Sequence, residues 1–313
     1  MATTGMFRYG DPATISDSDV TFIKPWSKVD IDFTSFGRTE RTLPVDNVRD
    51  LPKESIGVDK SGFNLYYSPA SEKEFTDDQA VRNGYYAEVE DLIRSELSTP
   101  SEPIRKVVIF DHTIRRSDPL SPRQPVQQVH VDQTPKAAEA RVRRHASTDP
   151  AELESLLKGR YQLINVWRPI GHAAVDQPLA FIDYRSTEPK DLIKVDLLYP
   201  DYPEKATGDD DDRGKESLPD AATVRSTEGY TARGETFTIV PNDKHKFYYV
   251  KDMEPEEALF IKCFDSRSEV HPNGRPGVAA YTPHSAFKDP ATPADAKGRQ
   301  SIEIRALIFY GEA

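Results

Sequence analysis

Residues 299–310 read RQSIEIRALIFY, and from Ser301 to Ala306 polar and apolar side chains alternate. A period of two is that of a β-strand, whose successive side chains point to opposite faces. Ile302, Ile304, Ala306 and Ile308 fall on one face, which should be core, while Arg299, Ser301, Glu303 and Arg305 take the other. Working backward from this strand, Tyr161–Trp167, Pro178–Tyr184, Leu192–Leu198, Thr236–Val240, Lys246–Val250 and Leu259–Phe264 are strand-like segments separated by turn-rich gaps. KVVIFD (106–111) is a candidate buried strand. Few helical stretches lie between these segments, whereas a doubly wound parallel sheet needs a helix after each strand. The chain is therefore read as mainly β with flanking helices, a sandwich or barrel carrying helices on one face.

Helices are expected ahead of the strands. Val81, Tyr85, Val89, Leu92, Ile93 and Leu97 recur at helical spacing up to Pro100, with Thr76 and Gln79 as a capping-box pair. A short basic helix is expected over 137–144. Another should follow, with Asp149 as N-cap, Pro150 at the first helical position, Glu152 closing the box and Gly159 at the exit. Residues 1–70 read as an irregular arm with short strands, and 204–228, with its acidic run Asp209–Asp212, as a mobile insertion. One domain spanning 1–313 is the expected organisation.

The 313 residues carry 41 Lys and Arg against 52 Asp and Glu, a net charge of −11, which disfavours binding to phosphate backbones. A single cysteine, Cys263, excludes an internal disulfide and fits a reducing compartment. No apolar run approaches the roughly 18 residues needed to cross a bilayer, and the first 26 residues lack a secretory apolar core. A soluble cytoplasmic protein is expected, with no nucleic-acid or membrane partner. Oligomeric state is open, a homodimer being one option.

Among seven histidines, His130 alone has a carboxylate two residues on, in VQQVHVDQT (126–134). Strand geometry points His130 and Asp132 to one face, and a distant third histidine would complete a two-His-one-carboxylate set, which suits Fe(II) and leaves three coordination positions open. With 52 acidic residues in 313, about one such pair is expected by chance, so the pair alone decides nothing. Order along the chain adds more: His284 follows the strand-rich region, and Arg299 with Ser301 opens the last strand. An arginine fork binds a carboxylate bidentately, and a hydroxyl two residues on can join it. This is the layout of Fe(II)/2-oxoglutarate oxygenases. A plain salt bridge is the ordinary alternative for Arg299, and Arg115-Arg116-Ser117 is a second Arg-x-Ser.

FDHTIRR (110–116), INVWRP (164–169), PLAFID (178–183), KCFDS (262–266), PHSAF (283–287) and RQSIEIRALIFY (299–310) together resemble the fungal AsaB-type hydroxylase/desaturase family, which includes gibberellin desaturase-like enzymes of secondary metabolism. The resemblance spans roughly residues 80–310. It implies a double-stranded β-helix (a cupin-like jelly roll), iron held by His130, Asp132 and His284, and 2-oxoglutarate with its distal carboxylate on Arg299 and Ser301. The 15 residues from His284 to Arg299 make a long gap, so Arg305 is an alternative for 2-oxoglutarate or an acidic substrate.

The implied activity is O2-dependent hydroxylation, desaturation or oxidative cyclisation of a small molecule. Arg168, His112 and Asn165 are weaker substrate candidates. Arg168 has a buried ion pair with an acid such as Asp183 as its alternative, and His112 a structural hydrogen bond. The spare arginines Arg168 and Arg305 weakly suggest an acidic substrate. His271 should be solvent-exposed in its Pro/Gly loop and Cys263 core filler. Gly-rich phosphate loops and a serine-hydrolase elbow are missing, which removes dehydrogenase, kinase and serine hydrolase readings. A redox-neutral isomerase or lyase on the same barrel, and a non-catalytic jelly-roll binding protein, remain as alternatives.

Overall fold

Two antiparallel-rich sheets face each other in the computed structural model, which describes residues 2–15, 25–118, 120–121, 123–201, 224–272 and 274–311. The strands are β1 (Thr3–Gly10), β2 (Trp26–Lys28), β3 (Arg38–Asn47), β4 (Phe63–Tyr67), β5 (Ile104–Arg116), β6 (His130–Val131), β7 (Tyr161–Pro169), β8 (Leu179–Ile182), β9 (Leu192–Pro200), β10 (Tyr230–Ile239), β11 (Phe247–Tyr249), β12 (Glu257–Asp265), β13 (His284–Ala286) and β14 (Gln300–Tyr310). The larger sheet runs β1-β3-β11-β8-β13-β6-β10-β9-β2 and the smaller β4-β12-β7-β14-β5. Both curl, as a jelly roll requires, and every strand expected from periodicity is present.

The alternation read in 299–310 governs the smaller sheet. Ile302, Ile304, Ala306 and Ile308 pack outward on Val81, Tyr85, Val89 and Ile93 of the first helical segment. That segment starts as α1 (Asp78–Ala80), passes through a π-helical turn at Val81–Tyr85 and continues as α2 (Tyr86–Leu97). Its N-cap is Asp77, which accepts from the amides of Gln79 and Ala80, so the expected cap at Thr76 is corrected by one residue. The other face of the sheet carries Trp167, Leu259 and Ile261, which meet Phe181 of the larger sheet.

Helices α3 (Pro135–His145) and α4 (Pro150–Lys158) bring Ala138, Val142 and Leu156 against Phe110, Leu163, Leu307 and Phe309. Thr134 caps α3 and Asp149 caps α4. Glu152 does not close a box; its carboxylate binds Lys106 and the Ser147 hydroxyl instead.

The N-terminal segment is not an irregular arm. β1 and β3 pair along eight positions, from Thr3 opposite Val45 to Gly10 opposite Arg38. Bridges from Met6 to Lys288 and from Arg8 to Gln128 curl β1 back over the larger sheet. Phe7, Tyr9 and Val45 are fully buried there, with Phe7 stacked on Phe247 at 3.8 Å. Burying a side chain of this size contributes roughly 1.5–3 kcal/mol, which explains why a segment with few apolar residues is nevertheless a strand pair. Of the acidic insertion expected over 204–228, residues 204–223 lie outside the described residues.

Candidate active site

β6, β13 and β8 are neighbours, and their register sets His130 opposite His284 and His284 opposite Phe181. Directly opposed residues share a face, so the two imidazoles lie in one row toward the smaller sheet, with ring centroids 4.5 Å apart. His130 Nδ1 lies 2.7 Å from the Gln128 carbonyl and His284 Nδ1 lies 3.0 Å from that of Thr282. A carbonyl only accepts, so both Nδ1 atoms donate and both Nε2 atoms are left to bind a metal or share a proton. Asp132 follows β6, in a turn anchored by Thr134, whose hydroxyl binds Glu235 at 2.7 Å. Its Oδ1 sits 3.2 Å from His130 Nε2 and 3.9 Å from His284 Nε2. The ligand atoms of the three residues all fall within 4.8 Å of one another.

Burial and then the neighbouring His130 push His284 down to about 4, so its imidazole is neutral at physiological pH. At His130 burial opposes the charged form, but the hydrogen bond and charge of Asp132 outweigh it and the net shift is upward. Burial likewise works against the Asp132 anion, yet the hydrogen bond to His130 and the charges of His284, His130 and Arg305 hold its carboxyl well below the usual range. The His130–Asp132 pair thus shares a proton that a cation would displace. Two imidazole nitrogens and one carboxylate oxygen, with their second nitrogens anchored, fit Fe(II) in a two-His-one-carboxylate site.

Arg299 lies at the mouth of β14, 2% exposed, its guanidinium 5.5 Å above the Trp167 ring. Nη1 donates to the Gln177 carbonyl at 2.6 Å, while Nε is buried with no hydrogen-bond partner among the described residues. Gln177 holds that carbonyl in place with a left-handed backbone, φ +43°, a conformation a non-glycine residue adopts at a cost. Burial and then the charge of Arg115 bring Arg299 down to about 9. Ser301, also buried, follows on the same face. A desolvated guanidinium that forms no ion pair among the described residues is suited to an incoming carboxylate.

The remaining candidates separate by face. Asn165 stands opposite Arg305 and donates from Nδ2 to Asp132 Oδ2 at 2.6 Å. Arg168 and His112 are corrected. Arg168 pairs in register with Ile302, on the helix-covered face, and donates to the Tyr85 hydroxyl and the Pro255 carbonyl. Its suggested partner Asp183 binds Arg185 instead. His112, opposite Ile304, binds the Tyr86 hydroxyl at 2.9 Å on that same outer face. Arg305 is held by Asp111 through two parallel contacts, one of 2.6 Å, so it is not the spare arginine expected. His271 is half-buried against the Phe264 ring at 4.7 Å rather than solvent-exposed.

Two residues given no role in the site by the sequence, where Cys263 reads as core filler, also lie beside it. Cys263 Sγ is 3.9 Å from Asp132 Oδ2, at a register shift of β12 between Lys262 and Phe264. Glu303, two residues from Ser301, is pushed up to about 7 by burial and then by the Asp132 charge. The alternation of β14 already placed Glu303 on the site face; no local pattern pointed to Cys263.

Fold and site define a jelly-roll protein with a three-residue metal-ligand cluster. The chain belongs to the family described as oxidoreductase/YMDC permease-like domain, whose model matches residues 9–212 and 213–309. No helix among the described residues is long and apolar enough to cross a membrane. The chain is 29% identical over 282 residues to the hydroxylase/desaturase efuI of Hormonema carpetanum, covering 85% of this chain and 82% of the relative. It is 36% identical over 159 residues to the hydroxylase/desaturase asaB of Aspergillus flavus, covering 51% of this chain and three fifths (60%) of the relative. To the Fe(II)/2-oxoglutarate-dependent dioxygenase nvfI of Aspergillus novofumigatus it is 29% identical over 237 residues, 75% of this chain and 69% of the relative. A solved structure of the iron and alpha-ketoglutarate-dependent endoperoxidase NvfI superposes with a TM-score of 0.72 at 23% identity, over 99% of this chain and 98% of the other. The AsaB-type resemblance read from the sequence is borne out.

Proposed function

We propose that this chain is an Fe(II)/2-oxoglutarate-dependent dioxygenase that hydroxylates, desaturates or oxidatively cyclises a small molecule in secondary metabolism. The observation that carries the proposal is the convergence of His130 Nε2, His284 Nε2 and an Asp132 oxygen, with both Nδ1 atoms tied to backbone carbonyls. In this reading His130, Asp132 and His284 hold the iron, and Arg299 with Ser301 receives the distal carboxylate of 2-oxoglutarate. Iron held there, with 2-oxoglutarate and O2, would supply the oxidising power for the substrate's C–H bond, the co-substrate being converted to succinate and carbon dioxide. The protein's own part is to fix three ligand atoms, to orient the co-substrate along β14 and to keep water out with Phe181, Trp167 and Leu259. Arg299, lacking an ion pair among the described residues, favours 2-oxoglutarate over a redox-neutral isomerase or lyase, which would have no use for it.

The expectation of an acidic substrate loses the two arginines it rested on, since Arg168 and Arg305 are both engaged within the fold. A cytoplasmic location is part of the proposal, on the single cysteine and the want of a membrane-crossing helix among the described residues.

The test is to purify the protein without oxygen and add Fe(II). Addition of 2-oxoglutarate should then change its visible absorption, and admission of O2 should release succinate. Iron affinity unchanged in His130→Ala would sink the proposal. Iron binding with no optical response to 2-oxoglutarate would point to the redox-neutral alternative.

A further inference from the structure

We propose that Asn165 is a positioning residue that confines Asp132 to ligating the metal through one oxygen. The inference rests on the metalloenzyme reading above and adds a role for a side chain that the sequence offered only as a substrate contact. The two oxygens of Asp132 have separate surroundings. Oδ1 faces both imidazole Nε2 atoms, whereas Oδ2 accepts a hydrogen bond of 2.6 Å from Asn165 Nδ2 and lies 3.9 Å from the Cys263 thiol.

The amide can point only one way. Reversed, its Oδ1 would confront a carboxylate oxygen at hydrogen-bond distance, acceptor against acceptor. In the observed orientation Asn165 Oδ1 is buried without a hydrogen-bond partner among the described residues. Leaving such an acceptor unmade opposes folding, and the arrangement retains that cost for the sake of the other end of the amide. β7 supports it: its nine residues are all buried, and Asn165 lies between Ile164 and Val166 in a strand paired on both sides.

The chemical consequence concerns coordination number. A carboxylate free to rotate can chelate with both oxygens and fill a position the co-substrate or O2 needs. A carboxylate whose second oxygen is hydrogen-bonded presents one. Three protein ligands then leave three positions, the number that a chelating 2-oxo acid and O2 require.

Nickel(II), which neither turns over nor oxidises under these conditions, is the probe. Titrated by calorimetry, Asn165→Leu, which keeps the branched shape with larger methyl ends, and Asn165→Ala should each bind Ni(II) about tenfold or more weakly than the unaltered protein. The visible bands of the Co(II)-loaded variants should shift as the carboxylate is freed. A merely structural role would instead lower the melting temperature of the metal-free protein and leave both metal readouts unchanged, and that result overturns the proposal. Asn165→Ser carries the same test if the larger changes prevent folding. If the unaltered protein binds no Ni(II), it is the metalloenzyme reading itself that fails.

Discussion

Lys262 and Cys263 are neighbours on β12, yet they look into two different buried polar clusters on opposite faces of one sheet. Lys262 pairs in register with Ile164 of the helix-covered side. Its ammonium lies 2.6 Å from Asp59 and 2.7 Å from Asp265, and Arg160 reaches Asp265, Asp59 and Glu102 within 2.8 Å. Lys262 and Asp265 are wholly buried, and Gln162 donates a further bond to Asp265. Charges there are matched inside the protein. Cys263 faces the other cluster, where lone pairs of His130, His284 and Asp132 converge and Arg299 presents a guanidinium that forms no ion pair among the described residues. Both are dense in polar groups, so density does not distinguish scaffold from site. Completeness does: one cluster satisfies itself, and the other is arranged for groups from outside.

The strongest way to break this contrast is Asp265→Asn. It leaves Lys262 without its wholly buried counter-charge, only the half-exposed Asp59 remaining beside it, and removing one member of such a buried pair costs about 3–5 kcal/mol. Urea unfolding should show that loss, while Ni(II) affinity of the folded variant stays unchanged; weakened metal binding would mean that the two faces are coupled. The same cluster sets the acid limb of stability. Burial works against the Asp265 and Asp59 anions, but Lys262 and Arg160 outweigh it and hold both carboxyls below their usual range. A depressed folded-state value means stability that is fully present above the unfolded value, about 4, and is lost as pH falls through the folded one. Unfolding free energy should drop below about pH 4, and Asp265→Asn should flatten that drop.

Arg299→Ala tests the other side. Truncating one partner of a buried charge pair costs about 2–5 kcal/mol of binding, so 2-oxoglutarate, followed by its optical change on the Fe(II) protein, should bind weaker by two orders of magnitude or so. Stability without 2-oxoglutarate should fall less than in Asp265→Asn, because the bond to the Gln177 carbonyl is lost but no ion pair among the described residues is broken. The matching Arg305→Ala breaks the contact with Asp111 and should reduce stability more than 2-oxoglutarate affinity. The reverse pattern would move the co-substrate to Arg305.

How far the sequence carries is itself explained by faces. β14 has one apolar and one polar face, so its alternation alone sets Arg299, Ser301 and Glu303 on the site side. β7 is buried along its whole length, and a strand covered on both sides carries no label saying which face holds the site. Asn165 and Arg168, an odd number of residues apart, therefore group together in the sequence although they point in opposite directions. The His130–Asp132 spacing is legible; the pairing of β6 with β13 that delivers His284 is long-range and leaves no local trace. β1 and β3 escape a reading by periodicity because Arg8 and Glu40 on their outer face, and Arg41 opposite Phe7, dilute the buried Phe7, Tyr9 and Val45. The π-turn at Val81–Tyr85 keeps the helical stripe readable while the cap falls one residue later.

The smallest expected effect probes that same ambiguity of faces. Arg168→Met keeps an apolar stem of similar length and removes the bonds to the Tyr85 hydroxyl and the Pro255 carbonyl. Leaving those two groups without their partner should cost about 1–3 kcal/mol of stability. Because the side chain lies under the first helical segment, Ni(II) affinity, 2-oxoglutarate affinity and succinate release should all match the unaltered protein. Asn165, three residues earlier and on the inner face, should show the opposite pattern, with metal affinity weakened beyond any change in stability. If Arg168→Met lowered 2-oxoglutarate affinity instead, the outer face of the smaller sheet would have to communicate with the site, and the division between a self-satisfied scaffold and a receptive interior would no longer hold.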